Sequence, residues 1–173
     1  MMRRLLMTAS VALACATVAQ PVDAQFSFGA QGALMTGVEE VQAGDMNGTM
    51  GLGARVQVSP PIPVLSIGVV GQGVYYFPDD AVLDNYMTYG LGAKLGFSFP
   101  LVSPYIIGGW QWRRAEAGGV TDTESGGTFG GGVQLGMIPV FLEATIEFND
   151  EIPTAQNFDV NPLVIQAGFM FGG

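Results

Sequence analysis

The segment YMTYGLGAKLGFSF, residues 86–99, carries two different patterns on its alternate positions. Its odd positions hold Met, Tyr, Leu, Ala, Leu, Phe and Phe, whereas its even positions hold Tyr, Thr, Gly, Gly, Lys, Gly and Ser. Successive side chains of a β-strand point to opposite faces, so apolar residues at every second position gather on one side. The segment is therefore predicted to be a strand with one bulky apolar face.

Seven further segments alternate in a similar way between turn signals, and none shows a sustained helical period. Most of the eight have the roughly 9–11 residues that a tilted strand needs to cross an outer membrane. The predicted strands cover residues 26–37, 49–59, 64–77, 86–99, 105–115, 128–137, 140–149 and 163–171.

The connections between these segments alternate between short and long. Three are short and contain proline, which is tolerated at strand ends because no ladder hydrogen bond is lost there. The short connections are 59–63, 100–104 and 137–139, and the long, acidic ones are 38–48, 78–85, 116–127 and 150–162. This pattern predicts an all-β fold: an eight-stranded antiparallel up-and-down transmembrane β-barrel with both termini on the periplasmic side.

The first 24 residues are predicted to be a signal peptide that is cleaved before Gln25. A basic start, a short apolar stretch and the small residues of VDA are typical of such a leader. A membrane-anchoring helix and a lipoprotein signal ending at Cys15 are the alternatives, and the apolar stretch is shorter than the ~20 residues that a spanning helix needs. Residues 25–173 then form the barrel domain.

The composition of residues 25–173 excludes several classes of function. This part has no histidine and no cysteine, because the chain has no His and its single Cys is Cys15, so no thiol nucleophile or Cys metal site is expected. Arg3 and Arg4 belong to the leader, which leaves four basic residues against 14 acidic ones and disfavours nucleic acid as a partner. We expect no cofactor, no metal site and no catalytic residues. Asp122 with Glu124, or Asp150 with Glu151, are the carboxylate pairs that could replace a histidine base, but acids in glycine-rich loops are usually solvated.

The positions of the charges indicate which face of the barrel is outside. A soluble ligand-binding barrel would turn its apolar face inward and needs a surface of which about a quarter to a third is charged. Twelve of the acids lie instead in the four long loops, so the apolar face is predicted to contact lipid. Aromatic residues border this face at both ends, as at membrane interfaces. They are Tyr75, Phe77, Tyr89, Trp110, Trp112 and Phe148 near the loops, and Phe26, Phe28, Phe97, Phe99, Phe169 and Phe171 near the turns.

The lumen residues are predicted from the strand positions that alternate with the apolar, lipid-facing ones. Eight strands leave an interior that side chains can fill, and charges buried there must be paired and hydrogen-bonded. The predicted lumen residues are Gln31, Arg55, Gln57, Gln72, Lys94, Gln111, Arg113, Gln134, Glu143, Glu147 and Gln166. By distance from the turns, Glu143 should lie near Arg55 or Lys94, and Glu147 near Arg113. These groups form either a salt-bridged plug or only a support that holds the wall together.

Two predictions concern the loop end. Arg114 should point outward beyond Trp110 and Trp112, where its guanidinium could contact a phosphate of lipopolysaccharide or simply begin the loop. The acidic loops could bind divalent cations, but no spacing among them matches a dedicated calcium loop, so solubility and mutual repulsion are the default interpretation.

In strand count, loop alternation, aromatic girdles and charged lumen, residues 25–173 resemble the small eight-stranded outer-membrane barrels, the family of OmpX and of the OmpA transmembrane domain. The closing VIQAGFMF, with Phe171 as its aromatic, resembles the strand signal that the outer-membrane assembly machinery reads, although two glycines follow it. The resemblance implies a monomer in the Gram-negative outer membrane with a structural or surface-interaction role, in contact with lipid and lipopolysaccharide. The alternative is a narrow porin-like pore for small solutes. Enzymes of this architecture commonly use a histidine, which this chain lacks.

Overall fold

Eight β-strands make up most of the computed structural model, which describes residues 25–36, 48–78, 85–117, 119–148 and 162–172. The strands are β1 (Gln25–Thr36), β2 (Thr49–Ser59), β3 (Leu65–Phe77), β4 (Asn85–Phe97), β5 (Val102–Ala117), β6 (Val120–Leu135), β7 (Val140–Phe148) and β8 (Leu163–Gly172). No helix within these residues is long and apolar enough to cross a bilayer.

The strands form one closed barrel in which each strand pairs with its neighbours in sequence order. All pairings are antiparallel, and the barrel closes where β1 pairs with β8, with Ser27 opposite Gly172. Closure leaves no free sheet edge along the wall, so backbone N–H and C=O groups are hydrogen-bonded between strands. The predicted fold class, an all-β eight-stranded antiparallel barrel, is confirmed.

Strand β7 shows how alternation divides the side chains. Its buried positions are Phe141, Glu143, Thr145 and Glu147, and its exposed positions are Leu142, Ala144, Ile146 and Phe148. A strand has a side-chain period of two, so a closed sheet sends one set into the lumen and the other to the outer wall. The charged members of β7 therefore lie inside the barrel, and its outer wall is apolar.

The structure corrects the predicted loop at residues 116–127. β5 continues to Ala117 and β6 begins at Val120 rather than at residue 128, with Ala117 opposite Val120. Gly119 lies in the short turn between the two strands and adopts a positive φ of 80°, which glycine tolerates without steric cost. The β-branched residues after this turn favour a strand. Glu116, Asp122 and Glu124 thus lie on a long hairpin instead of in a loop.

Several other predictions lie outside the described residues. The leader at 1–24 is among them, as is most of each of the three remaining long connections, at 37–47, 79–84 and 149–161. Among the described strands, the predicted bounds of β2 agree with the observed Thr49–Ser59, and β4 ends at Phe97 rather than at residue 99.

Candidate functional site in the barrel lumen

All eleven side chains that the sequence assigns to the lumen occupy inward positions of their strands. Nine of them are buried: Gln31, Arg55, Gln57, Lys94, Gln111, Arg113, Glu143, Glu147 and Gln166. Gln72 and Gln134 are half-buried. Burying so many polar groups is costly unless they find partners, so the contacts between them decide what the lumen can do.

Arg55 and Glu143 form the first ion pair of the lumen. The Arg55 guanidinium donates a hydrogen bond of 2.8 Å to Glu143 Oε2, and the Tyr105 hydroxyl donates a second one, of 3.0 Å, to the same oxygen. The guanidinium also lies 4.5 Å from the ring centroid of Phe141, within the range of a cation–π contact. The pair thus joins β2 to β7 across the barrel, with β5 supplying the tyrosine.

Arg113 and Glu147 form the second ion pair, nearer the loop end. The Arg113 guanidinium donates to Glu147 Oε2, and both side chains are almost completely buried. Above this pair lies an apolar cluster of inward side chains. Its members are Ala33, Met35, Val74, Tyr76, Tyr86, Ala115 and Val164. The rings of Tyr76 and Tyr86 are 5.5 Å apart, so the lumen is filled at this level.

Lys94 lies nearer the turn end and has a different environment. Its ammonium donates to Gln57 Oε1 at 3.0 Å and to Gln134 Oε1 at 3.2 Å. It also lies 4.8 Å from the ring centroid of Tyr105. The side chain is 2% exposed. Among the described residues, its hydrogen bonds therefore go to amide oxygens, whereas each lumen arginine contacts a carboxylate.

The remaining glutamines lie between these charged groups. Neither amide atom of Gln31 has a hydrogen-bond partner among the described protein atoms, and the same holds for one amide atom each of Gln72, Gln111 and Gln166. Glutamine amides carry two donors and an acceptor. This middle section of the lumen is therefore polar and less tightly bonded than the two ion pairs.

Sequence reasoning missed the aromatic residues that support the charges. The lumen residues predicted from the sequence are all polar or charged, yet Tyr105 and Phe141 both point inward and contact the Arg55–Glu143 pair. Their parity could have revealed them, because Tyr105 shares a face of β5 with Gln111 and Phe141 shares a face of β7 with Glu143. Gly132 makes room for Tyr105: a Cβ at that position would lie 2.7 Å from the tyrosine ring and hydroxyl.

The outer wall carries the predicted aromatic residues. All twelve lie on outward positions, and eleven are exposed, whereas Trp112 is half-buried because it stacks on Tyr89 with ring centroids 5.7 Å apart. Arg114 is exposed on the same face of β5. It lines a pocket of about 170 Å³ together with Tyr75, Asn85, Met87 and Glu116.

The geometry of the whole barrel is similar to that of solved structures. The N-terminal β-barrel domain of Pseudomonas aeruginosa OprF matches with a TM-score of 0.51 at 13% identity, over 86% of this chain and 99% of that domain. Neisserial surface protein A matches with a TM-score of 0.52 at 19% identity, over 84% of this chain and 95% of that one. The chain has the fold of the small eight-stranded outer-membrane barrels.

A third small barrel, Ail, the attachment invasion locus protein of Yersinia pestis, matches with a TM-score of 0.49 at 19% identity, over 86% of this chain and 97% of that one. No protein-family model and no curated protein matches the chain. At these identities the likeness describes the fold of the barrel and assigns no role to its residues.

Of the two predicted acidic pairs, Asp122 with Glu124 lies on β6. Asp122 is exposed, and its Oδ1 accepts a hydrogen bond from the backbone N–H of Thr123 at 2.8 Å. Within the described strands and turns, no three His, Cys, Asp or Glu side chains gather as a metal site requires. Asp150 and Glu151 lie outside the described residues.

Proposed function

We propose that this chain is an integral β-barrel of the Gram-negative outer membrane with a structural or surface-interaction role. One observation carries the proposal: large apolar side chains are exposed all around the wall. Leu52, Leu91 and Phe129 are 63%, 60% and 52% exposed at mid-strand positions of three different strands. Burial of such surface is worth about 25 cal/mol per Å², and contiguous exposed apolar surface marks a membrane or protein contact.

The proposed orientation places the short turns in the periplasm. β1 begins and β8 ends at the same end of the barrel as the turn after β2, since Gln25 lies opposite Ser59 and Ser27 opposite Gly172. Short periplasmic turns and long external loops are the general pattern of such barrels. In this proposal both termini are periplasmic, the barrel is a monomer, and the assembly machinery reads β8 with Phe171 during insertion.

The proposed role is not catalytic, and the lumen is proposed to be closed by a salt-bridged plug. The two arginine–glutamate pairs and the apolar cluster at the loop end support the plug, because together they occupy successive levels of the interior. Buried charges are tolerated at these levels because each arginine is paired with a carboxylate.

Depth-dependent quenching of tryptophan fluorescence tests the insertion. Trp112 lies on the outer wall two positions nearer the loop end than Trp110, which pairs with Leu91, so bromine placed near the lipid headgroups should quench Trp112 emission more than bromine at the chain ends. Trp110→Phe leaves one tryptophan at this level and should preserve that order of quenching. The proposal is wrong if the folded protein stays dispersed in detergent-free buffer and brominated lipids leave its emission unchanged.

A narrow pore for small solutes is the second candidate function. The observation that favours it is the middle section of the lumen, where Gln31, Gln72, Gln111 and Gln166 have amide atoms without a protein partner in the described structure. A steady ohmic conductance of the unmodified barrel in a planar bilayer would favour the pore over the plug.

Arg114 is proposed to contact a phosphate of lipopolysaccharide at the outer end of the wall. The guanidinium is exposed and lies opposite Met87 in the sheet, close to the tryptophans of the loop-end girdle. Arg114→Ala should lower the amount of co-purified lipopolysaccharide several-fold, because a bidentate guanidinium–phosphate contact is lost. Arg114→Lys should retain part of it as a point charge. Unchanged lipopolysaccharide in Arg114→Ala would contradict the contact.

A further inference from the structure

The turn end of the lumen opens into a polar cavity of about 580 Å³. Its wall includes three glutamines and five serines. They are Gln25, Ser27, Gln57, Ser59, Ser66, Ser98, Ser103 and Gln134. None of the described residues that line it is acidic or basic. The described part of the cavity wall is therefore polar and has no carboxylate, in a chain whose formal net charge is −9.

The nearest positive charge lies directly behind this lining. Lys94 does not line the cavity itself, but its ammonium binds Gln57 Oε1 and Gln134 Oε1, and both of these glutamines do. The other lumen cations, Arg55 and Arg113, are each neutralised by a glutamate within contact distance. Of these three lumen cations, Lys94 is therefore the one whose positive charge is least neutralised by a contacting carboxylate. Its electric field extends toward the turn end.

The amide dipoles of the two glutamines transmit the positive potential of Lys94 toward the cavity. Because the ammonium takes the oxygen of each amide, the amide nitrogen is left to donate elsewhere. Gln57 Nε2 donates to Ser59 Oγ at 2.8 Å, so the Ser59 proton remains available to an acceptor in the cavity. A chain of hydrogen bonds thus leads from Lys94 through Gln57 to a cavity hydroxyl, and such chains polarise their members in one direction.

We propose that this cavity binds a small oxyanion, such as phosphate or sulfate. The donors are the Ser59 hydroxyl, the Gln134 amide nitrogen and neighbouring serine hydroxyls such as Ser27. The anion does not contact the Lys94 ammonium itself. It accepts hydrogen bonds from the hydroxyl and amide N–H groups that the ammonium orients through the glutamines. This arrangement gives weak binding, because the charge acts through one intervening layer of amides and the site is open to water.

The test uses inorganic phosphate as the probe and side-chain amide resonances as the readout. The ¹⁵N-labelled protein in an uncharged detergent is titrated with phosphate, and the NH₂ signals of Gln57 and Gln134 are followed. We expect a saturable shift with a midpoint of about a millimolar, whereas sodium chloride at the same ionic strength gives only a shallow drift. A short-chain phospholipid, as second probe, distinguishes a free oxyanion from a lipid headgroup and should not produce the saturable shift.

Two variants separate the lysine from general electrostatics. Lys94→Met removes the ammonium with a side chain of similar length and should raise the phosphate midpoint about tenfold or more. Thr121→Glu lowers the net charge by the same amount at an exposed position of the loop end and should leave the midpoint within about twofold. Dispersed amide spectra verify that each variant is folded. The proposal is overturned if Lys94→Met keeps the wild-type midpoint, or if phosphate and chloride shift the signals alike.

Discussion

Replacing Glu143 by alanine is expected to lower the free energy of unfolding by about 3–5 kcal/mol, the usual cost of removing one partner from a buried ion pair. Glu143 Oε2 accepts hydrogen bonds from Arg55 and from the Tyr105 hydroxyl. The variant leaves a guanidinium with 2% exposure without its carboxylate, and the Arg55 Nη1 atom already has no partner among the described residues. The tyrosine hydroxyl loses its acceptor in the same step.

Urea unfolding in lipid vesicles, followed by tryptophan emission, measures this loss. The double variant Arg55→Met/Glu143→Ala removes both charges and should recover most of the stability, because no buried charge is then unpaired. Ala144→Ser, at the adjacent outward position, is the matched control and should change the free energy by no more than about 0.5 kcal/mol. If Glu143→Ala unfolds at the wild-type urea concentration, the pair does not stabilise the barrel.

The same variant also distinguishes a plug from a wall support. If the Arg55–Glu143 pair closes the lumen, planar bilayers should show little steady conductance with the wild-type protein and a rise with Glu143→Ala. If the pair only supports the wall, the stability falls while the conductance does not change.

An arginine in place of Leu91 should destabilise the membrane-inserted barrel by about 2–4 kcal/mol, the range for a basic residue on the lipid face at the bilayer midplane. Leu91 lies at the middle of β4 and is 60% exposed on the outer wall. In hydrocarbon the guanidinium would lose its water without gaining a partner. In a barrel with a water-covered wall, the same substitution would cost almost nothing.

Met137→Arg is the depth control for this substitution. Met137 is 80% exposed and lies in the turn between β6 and β7, so its replacement should cost about 0–1 kcal/mol. Reversible urea unfolding in vesicles compares the two variants with the wild type. Equal, small losses for Leu91→Arg and Met137→Arg would mean that the mid-strand wall does not contact hydrocarbon.

The fold could be predicted from the sequence because alternation and turn residues agree along the chain. β2 was predicted with its observed bounds, since Ser59 is followed by prolines that end the strand and the residues before it alternate without interruption. The prediction of a loop at residues 116–127 is wrong because most of this segment pairs as strand in β5 and β6. Gly119 lies in the turn, whereas Gly126 and Gly127 lie inside β6 and pair with β5.

The inward positions could also be predicted, but the contacts between them could not. Alternation along a strand assigns each side chain to one face of the sheet. It predicts that Arg55 and Glu143 both lie inside the barrel, although they are 88 positions apart in the sequence. Which charges meet depends on the stagger of the strands, which no local pattern fixes. The sequence therefore left Glu143 between Arg55 and Lys94, and the observed register brings it to Arg55.

The pairing of β1 with β8 has a consequence for how the barrel is made. Ser27 lies opposite Gly172, so the contacts that close the wall join the two ends of the described chain. Contacts this distant in sequence make folding slow, because a long loop must be ordered before they form. The barrel cannot close until β8 has paired with β1. Until that moment β1 and β8 each present an open edge that could pair with another chain.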